Sequence, residues 1–244
     1  MTLLADIIIP VYNERDNLQP LLERLRALPD FLSYNLIFVD NASFDGSTEL
    51  IASISDVTLI RHEKNRGYGA SLRSGIASAQ TEQIVIIDAD SEYPPECIPH
   101  LLTALEECSV IYASRLLGRS SAQQSGMSSL KWLGNRIIST AYNFLFSQDV
   151  TDLYTGCKAL RRSCLAGITL ERNGFEQVLE LSAKLSVHGY IIREIAVDFM
   201  PRSFGQSKML HISETAKYFF WLLFYRVIFL PIFYSKSQEV LRGK

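Results

Sequence analysis

The sequence predicts an α/β fold, a mostly parallel sheet flanked by helices, and two observations carry that prediction. Over the first hundred residues short apolar runs alternate with segments of helical period, the pattern of strands feeding crossover helices onto a parallel sheet. Clusters of polar residues stand just behind those runs, where open α/β sheets bind their ligands. A chain of 244 residues buries a substantial core, and one domain of that length is commoner than two small ones. We therefore expect a single globular domain over residues 1–212 and a hydrophobic tail over 213–244.

Taken in order, strands are expected at 5–9, 35–39, 57–61, 83–87 and 110–113. Between the first two, Leu18, Leu21, Leu22, Leu25 and Leu28 recur at helical spacing, with Asn13 or Asp16 available as a cap and Pro29 as a stop. The stretch 118–129 is rich in Gly, Ser and Gln without apolar periodicity, so it reads as a loop with the composition of a mobile segment. Helices follow near 130–146 and 175–188, and an extended run near 190–199.

Charge and composition exclude several classes. Lys and Arg number 24 against 26 Asp and Glu, a net charge of -2, which lacks the broad basic footprint of a nucleic-acid binder. Any anion site is therefore local. Cys97, Cys108, Cys157 and Cys164 show no Cys-x-x-Cys spacing and no apolar leader precedes the first strand, so a reduced compartment without disulfides or structural zinc is expected. His62, His100, His188 and His211 form no metal-binding pattern.

Four polar clusters follow apolar runs: Pro10 to Glu14, Asp40 to Ser43, Asn65 to Gly69, and Asp88-Ala89-Asp90. Each alone reads equally well as turn or cap chemistry; in one chain, in this order, they read together as a site. Asp88 and Asp90, two apart at a strand end, suit one hard cation, with Glu92 as a third oxygen donor. A Mg²⁺ or Mn²⁺ ion there would neutralise a diphosphate leaving group. A dinucleotide site is excluded: Pro10 to Glu14 stands where the glycine fingerprint would open, and Leu72 where its third glycine would fall.

At these residues the chain resembles the inverting family-2 glycosyltransferases of the GT-A (Rossmann-like) fold, and within them the dolichol-phosphate-mannose-synthase-like enzymes, over roughly residues 5 to 210. The resemblance implies that Pro10, Tyr12, Glu14, Asp40, Asp88 and Ala89 surround a nucleotide-diphosphate sugar, GDP- or UDP-linked, and that Asp88, Asp90 and Glu92 hold the metal. Glu92 stands where dolichol-type members carry Gln, and Asn41 where a second Asp is commoner. The segment RSFGQSK at 202–208 is similar to a family loop in which Arg202 and Lys208 clamp the diphosphate. DLYTGCKALRR at 152–162 resembles the sugar-site segment, which brings in Asp152, Thr155, Gly156 and Lys158, with Cys157 in place of an aromatic. Glu176 and Glu180 are second choices for sugar hydroxyls. The catalytic set so implied is Asp90, Asp152 and Arg202.

On the acceptor side Arg115, Lys131 and Asn135 match, by order and spacing, residues that hold a polyprenyl phosphate in the family, where the last two are usually Arg and Ser. Arg and Lys bind phosphate oxygens through charge-assisted hydrogen bonds. A phosphate acceptor is already anionic at neutral pH and needs orientation more than a base, so Asp152 is expected to orient. A sugar or protein hydroxyl acceptor would instead need a positioned base, and a non-catalytic nucleotide-sugar-binding scaffold is the third reading.

The segment 218–234 is apolar all round, with Lys217 and Lys236 flanking it. At 17 residues it falls short of the ~20 that span a bilayer. Aromatic ends and basic flanks suit a helix lying in the interface at the cytoplasmic face of a membrane; the other reading is a core helix or a homo-oligomer contact.

Overall fold

A computed structural model of the protein describes residues 3–198, 200 and 211–229. Seven strands form one sheet in the order β3-β2-β1-β4-β6-β5-β7. The first four are β1 (Ala5–Val11), β2 (Tyr34–Asp40), β3 (Val57–Arg61) and β4 (Gln83–Ile87), all mutually parallel. Their crossovers carry α1 (Arg15–Arg26), α2 (Ser47–Ala52) and α3 (Tyr68–Ser78). After α4 (Ile98–Ala104) comes β5 (Val110–Ser114), and beyond the one-turn α5 (Ala122–Ser125) and long α6 (Ser129–Phe146) the chain forms β6 (Cys157–Arg161). This strand slots between β4 and β5 and runs antiparallel to both. Helix α7 (Gln177–Val187), edge strand β7 (Ile192–Ala196), parallel to β5, and α8 (His211–Phe224) complete the fold.

Each strand alternates its side chains between two cores. Ile7, Ile9 and Val11 of β1 face the layer of α1 and α4, while Ile8 faces the layer of α3, α6, α7 and α8. Helix α1 forms because Leu18, Leu21, Leu22 and Leu25 make one buried stripe, each contributing about 2 kcal/mol of burial. Pro20 sits inside it, removing the N–H that would donate to the carbonyl of the exposed Asp16. Neither Asn13 nor Asp16 caps this helix. Glu14 holds the cap position without a side-chain cap bond, and Asn13 instead accepts a bond from the Phe44 N–H. Asp6, fully buried on β1, is satisfied by the N–H groups of Gln80 and Thr81, the Thr81 hydroxyl and the Asn35 amide.

The loop expected over 118–129 contains the single turn of α5, and α6 begins one residue earlier than expected. The described part of the tail packs on α6 and α7, burying Tyr218, Leu222 and Tyr225; 230–234 of the expected apolar segment lie outside the described residues. Among the described residues no helix is long and apolar enough to cross a membrane.

Candidate functional site

Residues at the carboxyl ends of β1, β2, β4 and β5 meet in one cleft, walled on the far side by α6 and α8. Its volume is about 930 Å³. Three non-glycine residues just behind strand ends adopt left-handed backbone, Asn13 (φ 52), Ala42 (φ 64) and Ser91 (φ 60). Such conformations cost of order 1 kcal/mol each and cluster at functional sites.

The floor is the acid triplet. Asp88 accepts a hydrogen bond from the Tyr68 phenol at 2.9 Å, and Tyr68 is itself stacked on Phe175. The other Asp88 oxygen lies against Gly156, where an added Cβ would stand 2.0 Å away, so only glycine leaves that carboxylate its place. Burial first, and then the neighbouring Asp90 charge, push the Asp88 pKa up to about 7. Asp90 accepts the Glu92 N–H at 3.0 Å. Two carboxylates close enough to disfavour each other's ionisation suit a divalent cation. A third acid does not join them: among the described residues no group of three His, Cys, Asp or Glu converges as a metal cage. The Glu92 carboxylate lies instead 3.6 Å from the Arg115 guanidinium. Glu92, expected as a third oxygen donor, thus stands against Arg115 in this structure. The pair fits a Mg²⁺-like ion whose remaining ligands are water and substrate phosphate, the usual arrangement for that cation.

The residues expected around the nucleotide divide by position. Pro10, Tyr12, Glu14 and Ala89 line the cleft. Asp40 does not. It is fully buried, accepting the Ser43 N–H and the Thr48 hydroxyl, and so fixes the turn behind β2 rather than facing a ligand. Asn41 lines the cleft in its place. Its amide oxygen accepts the Arg66 N–H at 2.9 Å and its amide nitrogen donates to Asn65 at 3.0 Å. That orientation makes His62 Nδ1, 3.0 Å from the same oxygen, the donor. Burial and the Arg66 charge lower the His62 pKa. Gly67, at φ +90, comes so near the Asn173 carbonyl that a Cβ would clash at 2.3 Å.

On the acceptor side Arg115, Lys131 and Asn135 all line the cleft. Asp152 holds Arg115 and Asn135 from beneath. Fully buried and off the cleft surface, it accepts Arg115 Nε at 2.7 Å, Arg115 N at 3.0 Å and the Asn135 amide at 2.6 Å. Burial alone would raise the Asp152 pKa, but the Arg115 charge and these bonds bring it below its ordinary value. Arg115 also lies over the Tyr93 ring at 4.9 Å. Thr155 and Gly156 line the cleft. Lys158 sits below it, fully buried, with no hydrogen-bond partner among the described residues, over the Tyr112 ring at 4.9 Å. Burial draws its pKa down to about 8 against the opposing pull of Asp88 and Asp152.

Glu180, a second choice for sugar hydroxyls, is fully buried and spent on the N–H groups of Glu171 and Arg172 and on the Lys184 ammonium at 2.7 Å. Glu176 pairs with Lys217 at 3.3 Å. Arg202 and Lys208 lie outside the described residues. Tyr68, within the Asn65 to Gly69 cluster, lines the cleft together with Tyr93 and Phe175, neither of which sequence reasoning gave a role in the site.

Comparison with known proteins gives the family and the fold. The family model described as Glycosyl transferase family 2 matches residues 6–168. The chain is 29% identical over 209 residues to the dolichol-phosphate mannosyltransferase of Pyrococcus furiosus, covering 84% of this chain and 59% of that one. It thus spans about three fifths of that relative's length. It is 42% identical over 108 residues to the undecaprenyl-phosphate 4-deoxy-4-formamido-L-arabinose transferase of Aeromonas hydrophila, covering 41% of this chain and 33% of that one. Among solved structures, glucosyl-3-phosphoglycerate synthase from Mycobacterium tuberculosis, in complex with Mn²⁺, UDP-glucose and phosphoglyceric acid, superposes with a TM-score of 0.69. Identity there is 18%, over 91% of this chain and 79% of that one. The fold is that of the GT-A glycosyltransferases.

Proposed function

The chain belongs to glycosyltransferase family 2, and on that premise we propose that it transfers a sugar from a GDP- or UDP-linked donor to a polyprenyl phosphate, with inversion and with Mg²⁺ or Mn²⁺. One observation carries the reading. The carboxylate pair Asp88 and Asp90 and the cationic group of Arg115 and Lys131 line a single cleft, so a diphosphate-bearing donor and an anionic acceptor have complementary walls. The names of the two relatives share a polyprenyl phosphate and differ in the sugar, which supports a lipid phosphate acceptor. The chain's own pocket then selects the sugar.

In this reading Pro10, Tyr12, Glu14 and Ala89 bind the nucleotide, Asp40 and Asn41 hold the loops around it, and Asp88 and Asp90 hold the cation. When bound, that ion offsets the charge developing on the leaving diphosphate. Arg202 and Lys208 are assigned to the diphosphate by the family resemblance alone. Arg115, Lys131 and Asn135 aim the acceptor phosphate at the far side of the anomeric carbon, and Asp152 keeps Arg115 and Asn135 aimed. A general base is unnecessary, because a phosphate monoester is largely anionic at neutral pH. The lowered pKa of Asp152 supports orientation over proton transfer. The apolar residues of α6 and α8 on the cleft wall keep water from competing for the sugar, and the enzyme works at the cytoplasmic face of a membrane.

The test is a transfer screen with several nucleotide sugars, with and without undecaprenyl or dolichyl phosphate. Product on the lipid phosphate is expected, and transfer solely to a sugar hydroxyl would reject the proposal. Asp90→Asn should abolish transfer at saturating Mg²⁺ or Mn²⁺ while the circular dichroism stays unchanged.

A further inference from the structure

Among the described residues the Tyr68 phenol is the one side chain that donates to the Asp88 carboxylate, at 2.9 Å. The opposite Asp88 oxygen lies against Gly156, which has no side chain to steer it. The aim of this acid therefore depends on where Tyr68 stands. Tyr68 is not on a strand of the sheet; it opens α3, directly after Gly67 at φ +90. Its own position must be fixed by something packed against that helix end.

Segment 171–176 does this. The Asn173 carbonyl accepts the Gly69 N–H at 2.7 Å and the Ala70 N–H at 3.4 Å, serving a helix end that has no side-chain cap bond. Glycine permits the approach: a Cβ on Gly69 would stand 2.3 Å from the Arg172 carbonyl oxygen, as one on Gly67 would from that of Asn173. One turn on, Arg73 donates to the Arg172 carbonyl and to the Asn173 side chain. Phe175 then stacks on the Tyr68 ring, with centroids 5.2 Å apart and planes 20° from parallel. Tyr68 is thus held by its backbone neighbours and by its ring. The same segment is fastened to α8: the Arg172 guanidinium lies over the Trp221 ring at 4.2 Å, and Glu176 pairs with Lys217. Glu180 of α7 secures it from beneath through the N–H groups of Glu171 and Arg172.

We propose that segment 171–176 is a tie through which α8 sets the aim of Asp88, with Tyr68 as the positioning residue that acts on the carboxylate. The inference rests on the reading of Asp88 and Asp90 as the cation pair and deepens it by naming what orients the first of them. A group hydrogen-bonded to a metal-binding carboxylate governs affinity because it fixes the direction of the lone pairs offered to the ion. Here that group belongs to the end of a helix, and its support comes from an element on the far wall of the cleft, which Tyr218 and Phe219 of α8 line.

The experiment is calorimetric titration of the full chain with Mn²⁺, each variant first shown to unfold cooperatively. Tyr68→Phe removes the hydroxyl and keeps the stack on Phe175, and should weaken Mn²⁺ binding about tenfold to a hundredfold. Trp221→Leu, outside the cleft lining, removes the ring under Arg172 and should weaken it about threefold to tenfold. In the double variant the Trp221→Leu loss should vanish, because without the phenol the tie no longer reaches Asp88. Arg172→Met breaks the same link and replaces Trp221→Leu should that variant fail to fold. Additive losses would mean that α8 acts by another route and would overturn the tie. Unchanged affinity in Tyr68→Phe would overturn the positioning role. A parent chain binding Mn²⁺ no more tightly than Asp90→Asn would reject the cation reading itself. A parent that binds, with Tyr68→Phe and Trp221→Leu equal to it, would leave that reading standing and reject the tie alone.

Discussion

Asp152 and Arg115 form a buried ion pair, Oδ2 to Nε at 2.7 Å, in which the carboxylate is fully enclosed and the guanidinium still reaches the cleft wall. Removing one partner of such a pair leaves an uncompensated buried charge. Asp152→Asn is expected to destabilise the fold by about 3 kcal/mol, read from the urea midpoint. It should also raise the acceptor KM more than the donor KM. Equal changes in both would assign Asp152 to general scaffolding.

Gly156 bears on the metal acids through bare sterics. A methyl at this position would meet an Asp88 oxygen at 2.0 Å, driving the carboxylate from the Tyr68 phenol. Gly156→Ala should lower transfer by about a hundredfold, the order expected for an ångström of misplacement. Calorimetric titration with Mn²⁺ should show weakened binding in a chain that still folds.

Asp88 makes cation-free stability depend on pH. Its folded pKa, about 7, lies above the ordinary carboxylate value, so between about pH 4 and pH 7 the folded chain binds a proton that the unfolded chain has released. Stability therefore falls as pH rises through that window and levels off above it. Cation affinity moves the opposite way, weakening below about pH 7, because the ion binds the ionised form. Melting curves with EDTA from about pH 5 to pH 8 should show the decline, and Asp88→Asn should flatten it.

Glu92 places a carboxylate 3.6 Å from the guanidinium proposed to receive the acceptor. Glu92→Gln removes that competing charge while keeping the shape. The KM for an anionic lipid acceptor should fall by about threefold to tenfold, and the gain should shrink in high salt. An unchanged acceptor KM would mean that Glu92 does not compete with the phosphate.

Much of this arrangement is legible in the sequence, and the rest fails for identifiable reasons. β1 to β5 are readable because each is built on a short apolar run. β6 is not, since Lys158 interrupts it at the second position, and its burial over the Tyr112 ring is a tertiary fact. A motif marks Asp40 and Asp152 as acids near the site, yet one dimension does not distinguish a side chain facing a cleft from one turned beneath it. Glu92 shows the same limit: the metal spacing was visible, and its partner Arg115, more than twenty residues away, was not. The antiparallel insertion of β6 between β4 and β5 escapes any local pattern.

That inserted strand divides the molecule's inheritance as well as its sheet. The parallel set β3, β2, β1 and β4 carries the groups assigned to the nucleotide and cation, and the stretch from Arg115 to Asp152 carries those assigned to the acceptor. Exchange of 115–151 between relatives would change the acceptor wall while leaving in place the groups assigned to nucleotide, cation and sugar. Chimeras cut at these borders would change the recipient separately from the donor.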